Sequence, residues 1–142
     1  MGFLIDTNVL SELRKGSRAD AHVRRWFDQT DEADLLLSVL VLGEIRNGIE
    51  RLRRRDPTKA VLLETWLHEV MITMSDRILP ITPQIADYWG RLGVPDPLPV
   101  IDSLLAATAL AHDLVLVTRN VADMVRSGVK VINPFEHSED QP

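Results

Sequence analysis

The sequence predicts an α/β fold, a three-layer α/β/α domain with a mainly parallel central sheet of four to five strands. Three observations carry this. Apolar runs of strand length recur at Phe3-Leu4-Ile5, Leu35 to Val39 and Leu114 to Val117, continuous rather than alternating, as in parallel strands covered on both faces. The stretches between them place apolar residues at three- and four-residue steps, the mark of amphipathic helices. Strands alternating with helices make right-handed βαβ units and hence a parallel sheet. At 142 residues without repeat or low-complexity segment, the chain has the size of one domain, placed at 1–135 with a polar C-terminal tail at 136–142.

In chain order, Phe3-Leu4-Ile5 runs into Asp6-Thr7-Asn8, a buried strand delivering a carboxylate to the sheet edge where ligands of open α/β sheets bind. Leu10 to Leu13 reads as a short helix broken at Lys15-Gly16-Ser17. Asp20 to Phe27 carries Val23, Trp26 and Phe27 on one side and Arg24 and Arg25 on the other. Leu35 to Val39 is the second strand, and Leu40 to Arg55 a helix with Glu44 in its first turns. Thr58 to Met74 is a long amphipathic helix whose Trp and Met face suits the body of the domain or a dimer contact. Ile78 to Ile81 is strand-like, and Thr82-Pro83 starts a helix over Gln84–Leu92 with Ile85, Tyr88, Trp89 and Leu92 inward. Pro95, Pro97 and Pro99 force an extended connection to Asp102, which opens an Ala-rich helix ending at His112. Leu114 to Val117 and Val129 to Ile132 are the last strands.

The formal charge of -5 excludes a protein that coats nucleic acid by bulk positive charge. From Arg46 to Lys59 the chain nonetheless carries six basic residues against Glu50 and Asp56, a local +4. Without cysteine there is neither a disulfide nor a thiolate site, so any metal is held by oxygen or imidazole. No apolar run approaches the roughly 20 residues of a membrane span, and no secretion signal opens the chain. A cytoplasmic protein without membrane contact is the expectation.

Asp6, Glu44, Asp102 and Asp123 each fall just after a strand or near a helix start. Brought together, they would repel one another unless cations neutralise them. Carboxylates without thiolates or paired histidines favour Mg²⁺ or Mn²⁺, ions that lower the pKa of bound water and stabilise charge on phosphate. Phosphodiester hydrolysis suits that set best. Thr118 and Asn120, and also Thr7, Asn8 and Ser38, could orient such groups or simply form turns. The cluster Arg51, Arg54 and Arg55 reads as a solvated or partner-facing helix surface or, alternatively, as a contact for nucleic-acid phosphates.

Leu4-Ile5-Asp6-Thr7-Asn8-Val9-Leu10-Ser11-Glu12-Leu13, Ser38-Val39 with Leu42-Gly43-Glu44-Ile45, Leu98-Pro99-Val100-Ile101-Asp102-Ser103-Leu104, Leu116 to Asp123 and the ending Asn133-Pro134-Phe135 together resemble the PIN-domain ribonucleases. Within them the chain is most similar to the VapC toxins of toxin-antitoxin pairs, in the FitB-like branch. The resemblance implies Asp6, Glu44, Asp102 and Asp123 as catalytic, metal-binding acids supported by Thr118 and Asn120. It also implies metal-dependent endonucleolytic RNA cleavage, a homodimer, and inhibition by a cognate VapB-type antitoxin, with DNA reached only through the antitoxin complex. The chain departs from the pattern in a short connection from Gly93 to Pro99 and in Met124, where an aromatic is common.

Two other readings compete. One is a PIN domain with weak catalysis that acts mainly by binding RNA or an antitoxin, which predicts loss of one or more acids; all four are present. The other is a haloacid-dehalogenase-like phosphatase, which needs a second Asp two residues after the first; Asn8 stands there instead.

Overall fold

Leu4 and Ile5 have no room for solvent on either face, and β1 (Phe3–Ile5) accordingly lies at the centre of a five-stranded parallel sheet. The computed structural model describes residues 1–136; the remainder of the polar tail, 137–142, lies outside the described residues. The other strands are β2 (Leu35–Ser38), β3 (Ile78–Leu79), β4 (Val115–Val117) and β5 (Val131–Ile132), in the spatial order β3-β2-β1-β4-β5. Leu4 pairs with Leu36 on one side and Leu116 on the other, so sequence-distant strands meet at the centre.

Seven helices join the described strands: α1 (Thr7–Leu13), α2 (Ala21–Asp28), α3 (Val39–Arg53), α4 (Pro57–Thr73), α5 (Pro83–Leu92), α6 (Val100–His112) and α7 (Val121–Val125). Capping side chains set most of their starts. Asp20 accepts from His22 N and Val23 N, Asp56 from Lys59 N, and Thr82 from Ile85 N, with Pro57 and Pro83 in the first helical turns. Ser38 accepts from Leu40 N at 3.1 Å, so Val39 opens α3 rather than ending β2. The core runs through Leu4, Val9, Leu37, Val41, Ile49, Leu67, Leu105, Leu116 and Met124, from both helical layers and the sheet between them.

The observed fold matches the α/β expectation, with two differences besides the place of Val39. The sequence places Trp89 inward, but its ring is 40% exposed. It sits in the last turn of α5, where Nε1 donates to Ser103 Oγ at 2.9 Å; the polar end of the indole is satisfied while much of the ring stays in solvent. The five-residue α7 is the second difference: Asn120 gives it no side-chain cap, so no start signal marks it. Among the described residues, no helix is long and apolar enough to cross a membrane.

Candidate active site

The strand order reverses between β1 and β4: β2 and β3 lie to one side of β1, β4 and β5 to the other. A crevice opens at such a switch point outside the carboxyl ends of the strands. Asp6 follows β1 and Thr118 follows β4 at this point. Asp6 N donates to Val117 O at 2.9 Å, and Thr118 Oγ1 donates to Asp6 Oδ2 at 2.7 Å. Asp6 is only 5% exposed, and its Oδ1 accepts from Thr7 N at 2.7 Å, which also starts α1. The capping and site-forming positions of Asp6 are therefore the same position.

Each neighbour of Asp6 is itself pinned. Asn8 Nδ2 lies 3.4 Å from Thr118 Oγ1 and 3.5 Å from Asp6 Oδ2, and Asn8 Oδ1 accepts from Arg119 N at 3.2 Å, lacing α1 to the loop after β4. Asn120 N donates to Thr118 Oγ1 at 3.0 Å. The hydroxyl of Thr118 thus accepts from one backbone amide while it donates to a buried carboxylate.

Glu44 lies in the second turn of α3, where Thr7 Oγ1 donates to its Oε1 at 2.6 Å. Asp102 lies in the first turn of α6, and Asn120 Nδ2 donates to its Oδ2 at 3.3 Å. Asp123 is in the first turn of α7. Burial pushes the Asp102 carboxyl above its ordinary value, and the negative charges of Asp6, Glu44 and Asp123 push it further. The four acids named from sequence, held by four separate segments, therefore share one electrostatic environment. Thr118 and Asn120 each hold one of them. Thr7 and Asn8 do the same, whereas Ser38 serves only as the cap of α3.

Among the described residues, no three Asp, Glu or His side chains are gathered closely enough to hold an ion unaided. Mg²⁺ does not require three, since it is usually bound through one or two carboxylates and keeps several waters. It fits in charge as well: Asp102 is partly desolvated, faces three like charges and pairs with no cation among the described residues. The donors are carboxylate, hydroxyl and amide oxygens, the set preferred by hard ions.

The basic run resolves into two groups. Arg46 and Arg53 are tied to Glu50 and Glu64, which hold α3 to α4. Arg51, Arg54 and Arg55 are exposed. Arg51 stands on the face of α3 that carries Glu44, two turns or about 10 Å further along at 1.5 Å per residue; Arg54 and Arg55 lie one turn beyond. None of the three lies on a loop that holds the acids, as Arg119 does. Arg119 sits between Thr118 and Asn120, exposed, with its guanidinium carbon 3.7 Å from the centroid of the Phe135 ring. Sequence reasoning gave Arg119 no role; its place inside Thr118-Arg119-Asn120 was the available signal.

An apolar hollow of about 270 Å³ lies around Leu35, at the start of β2, lined by Leu10, Leu13, Phe27, Trp66 and Met74 among others. It contains none of the four acids. The polar crevice, not this hollow, is the chemically equipped site.

Comparison with known proteins identifies the family of the fold. The PIN domain family model matches residues 3–122. A VapC ribonuclease, Y4jK, of Sinorhizobium fredii is 28% identical over 138 residues, covering 94% of this chain and 97% of that protein. The toxin FitB of Neisseria gonorrhoeae is 28% identical over 137 residues, covering 93% and 97%. The solved structure of FitAB bound to an IR36 DNA fragment superposes with a TM-score of 0.84 at 25% identity, covering 98% of this chain and 99% of that one. By the match over residues 3–122, the chain belongs to the PIN-domain family.

Proposed function

We propose that this protein is a metal-dependent endoribonuclease toxin, inhibited by a cognate VapB-type antitoxin. The observation that carries the reading is that Asp6, Glu44 and Asp123 all reach Asp102 electrostatically at the carboxyl edge, where burial first and their charges next raise its carboxyl. The relatives named as a VapC ribonuclease and a FitB toxin support the reaction class and the toxin role. The FitAB structure on DNA supports a partner protein, through which DNA would be reached.

In this reading Asp6 and Asp102 would be the principal ligands of Mg²⁺ or Mn²⁺, with Glu44 and Asp123 completing the site through water. The ion would lower the pKa of a bound water and neutralise charge gathering on the phosphate that is cut. The chain's own groups hold the frame. Thr118 and the Thr7 amide fix both oxygens of Asp6, the Thr7 hydroxyl fixes Glu44, and Asn120 fixes Asp102. Arg51, Arg54 and Arg55 would meet RNA phosphates at a distance from the cut. A homodimer in the cytoplasm completes the proposal.

The test is cleavage of a mixed cellular RNA pool by purified protein with Mg²⁺, with Mn²⁺ and with EDTA, beside Asp6→Asn and Asp102→Asn. Discrete cuts that need metal and drop by at least about a hundredfold in both variants are expected, as for loss of a charge-stabilising group. Cuts that persist in EDTA or in both variants would remove the assignment.

A further inference from the structure

The four acids pose a problem for the substrate that the proposed function assigns to them. RNA is a polyanion, and it must approach an edge carrying Asp6, Glu44, Asp102 and Asp123. Arg46 and Arg53 are occupied by Glu50 and Glu64, and Arg51, Arg54 and Arg55 lie about 10 Å or more along α3 from Glu44. Arg119 differs from all of them in position and in pairing.

Its Cα is one residue, about 3.8 Å, from both Thr118, which holds Asp6, and Asn120, which holds Asp102. Its backbone amide is fixed by Asn8 Oδ1 at 3.2 Å. Its guanidinium lies over the Phe135 ring at 3.7 Å and forms no ion pair with a carboxylate among the described residues. An exposed cation on the loop that carries Thr118 and Asn120, leaning on a ring rather than on a carboxylate, is held in place with its hydrogen-bonding fork still available. The ring contributes attraction through its face and limits the rotamers the long side chain samples, so less order is lost when an anion binds. A planar fork of N–H donors matches two phosphate oxygens.

We propose that Arg119, propped on Phe135, grips a phosphate of the RNA strand neighbouring the one that is cut. The inference rests on the ribonuclease reading and names the residue that draws the polyanion to the site. Arg119 touches substrate but not the scissile phosphate, so its loss raises KM and spares kcat.

Two measurements test it. In the first, cleavage kinetics compare the wild type with Arg119→Gln, Arg119→Lys and Phe135→Leu. Arg119→Gln should raise KM about tenfold or more, as for loss of a charge-assisted contact, with kcat within about twofold. Arg119→Lys keeps the charge and should rescue most of that loss, and Phe135→Leu should fall between. In the second, a fluorescent mixed-sequence 12-nucleotide RNA is titrated at fixed Mg²⁺ and varied KCl onto Asp6→Asn and onto Asp6→Asn with Arg119→Gln. Loss of one single-strand phosphate contact lowers the slope of log K against log salt by about 0.7; a merely structural Arg119 would leave the slope unchanged.

An unchanged slope together with an unchanged KM overturns the proposal. So does a loss confined to kcat, which would make Arg119 a positioning residue. If the wild type cuts no RNA while the slope still falls, the ribonuclease reading fails and the phosphate contact stands.

Discussion

Asp6 and Thr118 are 112 residues apart in sequence and share a buried hydrogen bond of 2.7 Å. Thr118→Val keeps the shape of that side chain and removes the donor, leaving Asp6 Oδ2 with only the 3.5 Å contact from Asn8 and the Asn120 amide without its acceptor. The expected loss in urea unfolding is about 1–3 kcal/mol, with a parallel loss of cleavage. Asp102→Asn should act in the opposite direction on stability. In EDTA it removes a carboxylate raised by burial and three like charges, so the variant should melt above the wild type at neutral pH. A raised folded-state value means that the ionised Asp102 costs stability above it. The melting gap should therefore close as pH falls and vanish below the ordinary value of 3.8, where Asp102 is protonated folded or unfolded. At this scale the acids were legible, because each ends a strand or starts a helix. Arg119 was not, since nothing in Thr-Arg-Asn tells that Phe135 lies under the guanidinium. Met124, the departure from the family pattern, is fully buried and fills space without touching the site chemistry.

Between elements, the α3–α4 pair is joined by a surface network in which Glu50 and Glu64 each meet both Arg46 and Arg53. Hydrogen bonds from Arg53, then Arg46, hold Glu50 down at about 2, against an ordinary 4.5. A depressed folded-state value means the network contributes fully above 4.5 and is lost as pH falls from there toward 2. Exposed pairs of this kind are weak and screened by salt. Glu50→Gln should thus narrow the difference in melting temperature between pH 6 and pH 3 at low ionic strength, and 0.5 M NaCl should erase the effect. Thr82-Pro83 made the start of α5 readable from sequence, whereas Ser38 and Asp56, which cap α3 and α4, were read only as a turn or site residue and as a charge. Charge was harder to read. The local +4 looked like a single basic patch, but two of its arginines are spent on α4, because Glu64 comes from a helix that only the fold places beside α3.

For the whole molecule, the sheet order β3-β2-β1-β4-β5 puts the late strand β4 against the first strand β1. The parallel sheet was legible from its apolar runs, but the strand order was not, since pairing between ends of a chain leaves no local signal. A protein cut after residue 113 retains β1, β2 and β3, yet exposes the β4-facing side of Leu4 and loses both Thr118 and Asp123. Such a fragment should show no cooperative thermal transition by circular dichroism and no cleavage. The same order bears on how the protein is born. Asp6 leaves the ribosome more than a hundred residues before its hydrogen-bond partner Thr118. Closing that long loop comes late in folding, as non-local pairings do. A nascent chain therefore carries the acid before it carries the site, and Asp6 stays without the hydroxyl that fixes it until residue 118 has been made and folded against β1.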